Sequence, residues 1–187
     1  MDMTNVEFYW ASEEINRRPD EYWMRVMDIA RRNSITRIKR CGTIMGRTED
    51  SDEVPAAQIL YPAMQAADIF FLKADICQLG MDQRKVNMLA REYCDAASPK
   101  IKFKPVILSH HMLAGLGEGQ EKMSKSLVGT ALFMEDEEAD VKKKINSAFC
   151  PMGVAKGNPC LELMKYIVFG KFPSVLITRT PENGGDM

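Results

Sequence analysis

No apolar run in these 187 residues approaches the roughly 18 that a membrane-spanning helix needs. The opening MDMTNVEF is acidic and polar, without the apolar core of a secretory leader. A cytoplasmic location and no membrane partner are therefore expected. Histidine is nearly missing: His110 and His111 are the two in the chain, and neighbours on a strand point to opposite faces, which argues against a two-histidine metal site. The five cysteines (Cys41, Cys77, Cys94, Cys150, Cys160) are odd in number and never form a CxxC pair, so neither a disulfide framework nor a zinc knuckle is indicated. A reducing compartment suits them. The acidic run at 135–140 lacks a glycine at a sixth loop position and the alternation of a calcium loop. No protein-bound metal is expected. Neither charge sign dominates, with 25 Lys+Arg against 26 Asp+Glu, so a nucleic-acid partner must be met by a local basic face. There is no internal repeat and no low-complexity tract. What remains, 45% hydrophobic and 27% charged, is the composition of a folded globular chain with a real core.

Val6 to Trp10 is short, apolar and aromatic, as a strand would be. Pro19, Asp20 and Glu21 suit a helix start, and Trp23, Val26, Met27 and Ala30 recur at i, i+3, i+4, i+7, which predicts a core-facing stripe. Between Arg17 and Arg40 eight basic residues meet three acids. That excess reads either as a solvated helix face or as a surface for a phosphate backbone. Gly42 to Pro55 is polar and acidic and reads as a loop.

Ala56 to Phe71 is mostly apolar, yet Tyr61, Gln65 and Asp68 stand at i, i+4, i+7, on one helix face. Lys73 to Leu79 reads as a short buried strand, Gly80 as a turn with Gln83 at its mouth, and Met81 to Tyr93 as a helix. This is a strand-to-helix unit of the α/β kind. Pro105 to Ser109 is a second strand, followed by His110, His111 and a segment holding Gly115, Gly117, Gly119 and Gly129, which predicts a mobile loop. Acids at 135–140 and Lys142 to Lys144 have the order a helix dipole prefers.

The glycine-rich segment contains Lys122-Met123-Ser124-Lys125-Ser126. Two ammonium groups on a hinged loop can neutralise a departing pyrophosphate without holding it afterwards. A P-loop is excluded because Glu121, not glycine, precedes Lys122. By composition alone such a loop also reads as solvated surface.

The spelling KMSKS resembles the second signature of class I aminoacyl-tRNA synthetases. YPAMQAADIFFLKADICQLGMDQRKVNMLAREY, residues 61–93, resembles the tyrosine-binding segment of archaeal and eukaryotic tyrosyl-tRNA synthetases, most like plant and protozoan forms. The likeness extends from VEFYWASEEIN through AFCPMGVAKGNP to PENGGD, nearly the whole chain. It implies an α/β fold, the C-terminal half of a Rossmann-like catalytic domain with a helical linker. Residues 1–54 would be a connecting insertion for dimer and tRNA acceptor contacts. Residues 55–134 would hold the tyrosine site and lysine loop, and 135–187 would be linker helices.

The resemblance also implies roles. Tyr61, Gln65 and Gln83 would hold the α-ammonium end of L-tyrosine, and Asp68 would accept a hydrogen bond from its phenol. Phenylalanine would leave Asp68 unpaired. His110, Met112, Leu113, Met123, Ser124, Lys125 and Ser126 would receive ATP, with Lys122 and Lys125 as catalytic groups. Mg2+ would travel with ATP. The implied reaction is activation of tyrosine by ATP and its transfer to tRNA(Tyr), by a homodimer in the full-length protein. Two alternatives are a catalytically incompetent truncated paralogue acting as a binding or dimerisation module, and a tryptophanyl-type relative, which Asp68 and the YPxxQ pattern oppose.

Two departures from the family pattern stand out. The first signature, a His-x-Gly-His-like turn, is not in this sequence, so the chain reads as a middle piece that alone binds without turnover. Leu127-Val128 follow KMSKS where relatives often carry Asp-Pro.

Overall fold

Pro at the first helical position and acids in the first turn start α2 (Pro19–Arg31), which follows the shorter α1 (Ala11–Arg17). Next comes α3 (Ile35–Lys39), begun by Ser34, whose hydroxyl accepts from the Arg37 amide. The computed structural model describes residues 2–42, 55–124 and 127–187; the expected loop over 42–55 lies almost wholly outside them. The chain forms two compact units, Met1–His110 and His111–Met187. None of the described helices is long and apolar enough to cross a membrane.

In the first unit α2 packs chiefly on α4 (Ala56–Phe71). Ala63, Ala66 and Ala67 are fully buried along α4, and small side chains let the two helices approach closely. Pro62 sits inside α4 and removes one of its backbone hydrogen bonds. The chain then runs through β1 (Ile76–Gly80), a single 3-10 turn at Met81–Gln83, α5 (Arg84–Ala96) and β2 (Val106–His110). β1 and β2 pair in parallel, Ile76 with Val106 and Gly80 with His110. Parallel neighbours need a crossover, and α5 supplies it.

Three expectations change. The segment Val6–Trp10 is irregular and exposed rather than a strand. β1 starts three residues later than Lys73, and Cys77 is its one buried residue; Ile76, Val106 and Leu108 are half exposed because the helices cover the other face of the pair. The buried stripe of α2 is Tyr22, Val26 and Ile29, at i, i+4, i+7; of the expected stripe Val26 is buried and Ala30 packs half-buried on the core, while Trp23 and Met27 are left substantially exposed. Two neighbouring registers fit a helical period, and α4 selects the one that carries a hydroxyl.

A polar hub ties α2 to α5. Asp28 Oδ2 accepts from Tyr93 Oη at 2.6 Å and from Arg32 Nε at 2.9 Å, while Oδ1 accepts from Arg31 Nε at 2.7 Å. The Arg32 bond, then that of Tyr93, holds the Asp28 carboxyl well below the usual carboxylate range.

The second unit is rich in loops. The Leu116 amide donates to the Thr130 carbonyl and its carbonyl accepts from Phe149, so buried Leu116 gathers three segments. Helix α6 (Glu138–Asn146) has acids in its first turn and lysines in its last. Lys144 Nζ reaches Asp136 at 2.6 Å and lies 4.7 Å from the Phe133 ring centre. Helix α7 (Pro159–Leu163) leads through a π turn at Met164–Val168 into the short α8 (Phe169–Lys171).

Asp28→Asn should cost about 1.5–3 kcal/mol near neutral pH, the worth of a hydrogen bond to a charged group. Because the folded-state pKa is depressed, the stabilisation is present above the unfolded carboxylate pKa and is lost as pH falls through the folded one. Urea unfolding of both proteins should show the gap narrowing below about pH 4.

Candidate active site

Tyr61, Gln65 and Asp68 leave α4 on successive turns and line a cavity of about 590 Å³ in the first unit. Gln83, from the turn after β1, lines it from the other side. Its Oε1 accepts from Gln65 Nε2 at 2.7 Å. Met64, Ile69, Leu72, Ile76 and Leu79 make the walls largely apolar. The four residues read from the helix face and the strand mouth therefore meet in one place.

Tyr22 was not anticipated there. Its hydroxyl donates to Asp68 Oδ1 at 2.9 Å, and its ring meets Phe71 edge-on at 5.2 Å. Burial pushes the Asp68 carboxyl above the usual carboxylate range, and the Tyr22 hydrogen bond partly opposes it. Burial also pushes the Tyr22 hydroxyl up, reinforced by the Asp68 charge, so Tyr22 stays a donor. An ionised carboxylate has about four acceptor sites, so the Tyr22 bond leaves Asp68 room for a second donor from the cavity. The signal in the sequence was the alternative stripe Tyr22–Val26–Ile29, which places a phenol on the buried face.

Outside this cavity the site residues are placed separately. His110 ends β2, exposed, in register with Gly80. In the second unit Met112 and Leu113 are half-buried, and the Met123 amide donates to the Leu113 carbonyl at 3.2 Å. The Gly115 amide donates to the Gln120 carbonyl and the Gly117 amide to Gln120 Oε1, so the loop from 113 to 123 is pinned by its own backbone. Gly119 takes φ +69° at its tip, a conformation that glycine adopts without strain. Lys122 is exposed and Ser124 half-buried; Lys125 and Ser126 lie outside the described residues.

The basic stretch is extensively ion-paired. Arg17 meets Glu14, Arg18 meets Glu21, Arg31 and Arg32 meet Asp28, and Arg37 meets Glu92, at 2.6 to 3.1 Å. Of the two readings of that charge, the pairing favours a solvated helix face.

The family model described as tRNA synthetases class I (W and Y) matches residues 1–180. Cytoplasmic tyrosine–tRNA ligase 1 of Arabidopsis thaliana is 64% identical over 186 residues, covering 100% of this chain and 48% of that protein. The tyrosyl-tRNA synthetase of Leishmania major, solved with tyrosinol, superposes with a TM-score of 0.81 at 53% identity over 95% of this chain and 28% of that one. That of Pyrococcus horikoshii, solved with L-tyrosine, gives a TM-score of 0.86 at 36% identity over 100% of this chain and 56% of that one. The chain thus spans about half the length of the Arabidopsis relative, and less of the Leishmania one.

Asp68→Asn should raise stability near neutral pH. Its folded pKa is raised, so ionising it disfavours the folded state; that cost develops as pH rises from the unfolded toward the folded pKa. In acid, where the carboxyl is protonated in both states, the gain should vanish. Tyr22→Phe should instead lose about 1–3 kcal/mol at neutral pH. Chemical denaturation of the two variants across pH separates these opposite signs.

Proposed function

Because this chain belongs to the class I tRNA synthetases of the W and Y type, we propose that it carries the tyrosine site and the pyrophosphate-releasing loop of a tyrosine–tRNA ligase. The carrying observation is the cavity with a glutamine pair toward one end of the α4 face and the Asp68–Tyr22 pair further along. Tyr61 and Asp68 are seven helical steps apart, about 10 Å along the axis, a span suited to an amino acid with a polar group at each end. The tyrosinol and L-tyrosine bound by the Leishmania and Pyrococcus proteins support the same ligand.

In this reading Asp68 accepts a hydrogen bond from the phenol hydroxyl of L-tyrosine while Tyr22 fixes the Asp68 carboxylate. Tyr61, Gln65 and Gln83 hold the α-ammonium. The tyrosine carboxylate attacks the α-phosphate of ATP, pyrophosphate leaves, and Lys122 and Lys125 neutralise the charge that develops on it. No protein nucleophile takes part; alignment supplies the rest. His110, Met112, Leu113, Met123, Ser124, Lys125 and Ser126 are assigned to ATP from the sequence. Mg2+ is assigned to the phosphates of ATP, since such ions are held largely by phosphate and water. Transfer to tRNA(Tyr), homodimerisation of the full-length protein and a cytoplasmic location belong to the same proposal. Phosphates of tRNA would have to compete with the carboxylates that hold the arginines of 17–37.

The test is equilibrium binding of L-tyrosine and L-phenylalanine to the chain. Tyrosine should bind at least tenfold more tightly, and Asp68→Ala should weaken tyrosine by about 10- to 100-fold while leaving phenylalanine nearly unchanged. An unchanged ratio would refute the Asp68 role. In a full-length ligase carrying this segment, Lys125→Ala should depress kcat for ATP–pyrophosphate exchange far more than tyrosine affinity, as for an interaction made mainly in the transition state.

A further inference from the structure

Cys150 and Cys160, separate in sequence, are brought together in the second unit by one side chain. Asn158 is 2% exposed, and its Nδ2 donates to Cys150 Sγ at 3.4 Å and to the Val154 carbonyl at 3.1 Å. Its Oδ1 accepts from the Cys160 and Leu161 amides at 3.1 and 3.3 Å, which caps α7. Gly153 and Gly157, at φ +76° and +71°, turn the intervening loop back on itself. The Asn158 carboxamide thus holds the Cys150 sulfur at one end and the Cys160 amide at the other. Cys150 is exposed and Cys160 half-buried, whereas Cys41, Cys77 and Cys94 are buried in the first unit.

We infer that Cys150 and Cys160 are a dithiol modification site that closes reversibly to an intrachain disulfide when hydrogen peroxide reaches the exposed Cys150. The Cys150 thiolate attacks one peroxide oxygen; the O–O bond breaks, hydroxide leaves and takes up a proton, and Cys150 becomes a sulfenic acid. The Cys160 sulfur then attacks the Cys150 sulfur, the S–O bond breaks, and a second water leaves with the Cys160 proton. The two thiols lose two hydrogens in total and peroxide is reduced to two waters. A thiol reductant such as glutathione reverses the bond, the behaviour of a transient disulfide in a reducing compartment.

The geometry gives each cysteine its part. Exposure makes Cys150 the sulfur that meets the oxidant. Burial and the neighbouring Cys150 sulfur keep the Cys160 thiol protonated, so it is the poorer first target and the near resolving partner. The bond would tie the loop before α7 to the first turn of α7. From that helix Glu162 Oε2 accepts from the Ala114 amide at 3.0 Å and lies 3.3 Å from His111 Nε2, and the His111 ring stacks on Tyr166 at 4.0 Å. Oxidation would thus stiffen the support of the 111–114 segment. None of this depends on the synthetase reading.

The experiment treats the full chain with low hydrogen peroxide, blocks remaining thiols by alkylation, and maps the peptides without reduction. The expected product is a Cys150–Cys160 linked peptide that disappears with dithiothreitol, with Cys41, Cys77 and Cys94 absent from any linked pair. In Cys160→Ser, dimedone labelling of Cys150 should rise at least fivefold over the wild-type chain, since the sulfenic acid has lost its resolving thiol. Either a wild-type chain whose Cys150 is over-oxidised while Cys160 stays alkylatable, or equal dimedone labelling in the two proteins, would overturn the inference.

Discussion

Asp68 brings a carboxylate into an apolar cavity, and that costs free energy unless something answers it. Tyr22 is the answer, and its placement constrains everything around it. For the hydroxyl to reach Asp68, α2 must lie closely along α4, which the buried alanines of α4 permit. Phe71 fixes the ring from the side, and Arg18 lies 4.3 Å over Phe71 from the outer surface. The cavity is therefore lined both by the α4 face, where Tyr61, Gln65 and Asp68 stand in a row, and by Tyr22 from α2.

Two aspartates in the same unit have opposite effects. Asp28 is surrounded by donors from Arg31, Arg32 and Tyr93, which favour its ionised form, so it acts as a structural clamp between α2 and α5. Asp68 is half-buried with one phenolic donor, and its ionised form is disfavoured. A buried carboxylate left short of donors is poor for stability and well suited to recognising a ligand hydroxyl. That contrast is the physical basis for reading Asp68 as a ligand group and Asp28 as part of the frame. The pocket is thereby supported by a firm hub while keeping its own unmet demand.

The second unit follows another logic. Its lysine-bearing loop, expected to be mobile from its glycines, is tied by backbone hydrogen bonds from Met123 to Leu113 and from Gly115 to Gln120. Glycine supplies the left-handed turn at Gly119. Asn158 does a comparable job further on, using one buried amide to cap α7 and to order the loop that carries Cys150.

The sequence by itself determined the helix at 56–71, the strand-to-helix order that follows it and the shared face of Tyr61, Gln65 and Asp68, because helical period and turn residues are local properties. It also determined the family, since KMSKS and the 61–93 segment are spellings that need no coordinates. Tertiary packing decided which stripe of α2 is buried: Trp23–Met27 and Tyr22–Val26 fit the helical period equally, and only the facing surface of α4 separates them. It decided the state of Val6–Trp10, because an apolar run becomes a strand only when another strand pairs with it. It decided the pairing of Arg37, since Glu92 stands far from it in sequence, whereas the pairs of Arg17, Arg18, Arg31 and Arg32 are local to their helices. And it brought Cys150 to Cys160, whose spacing matches no motif, because the hydrogen bonds of Asn158 act through space.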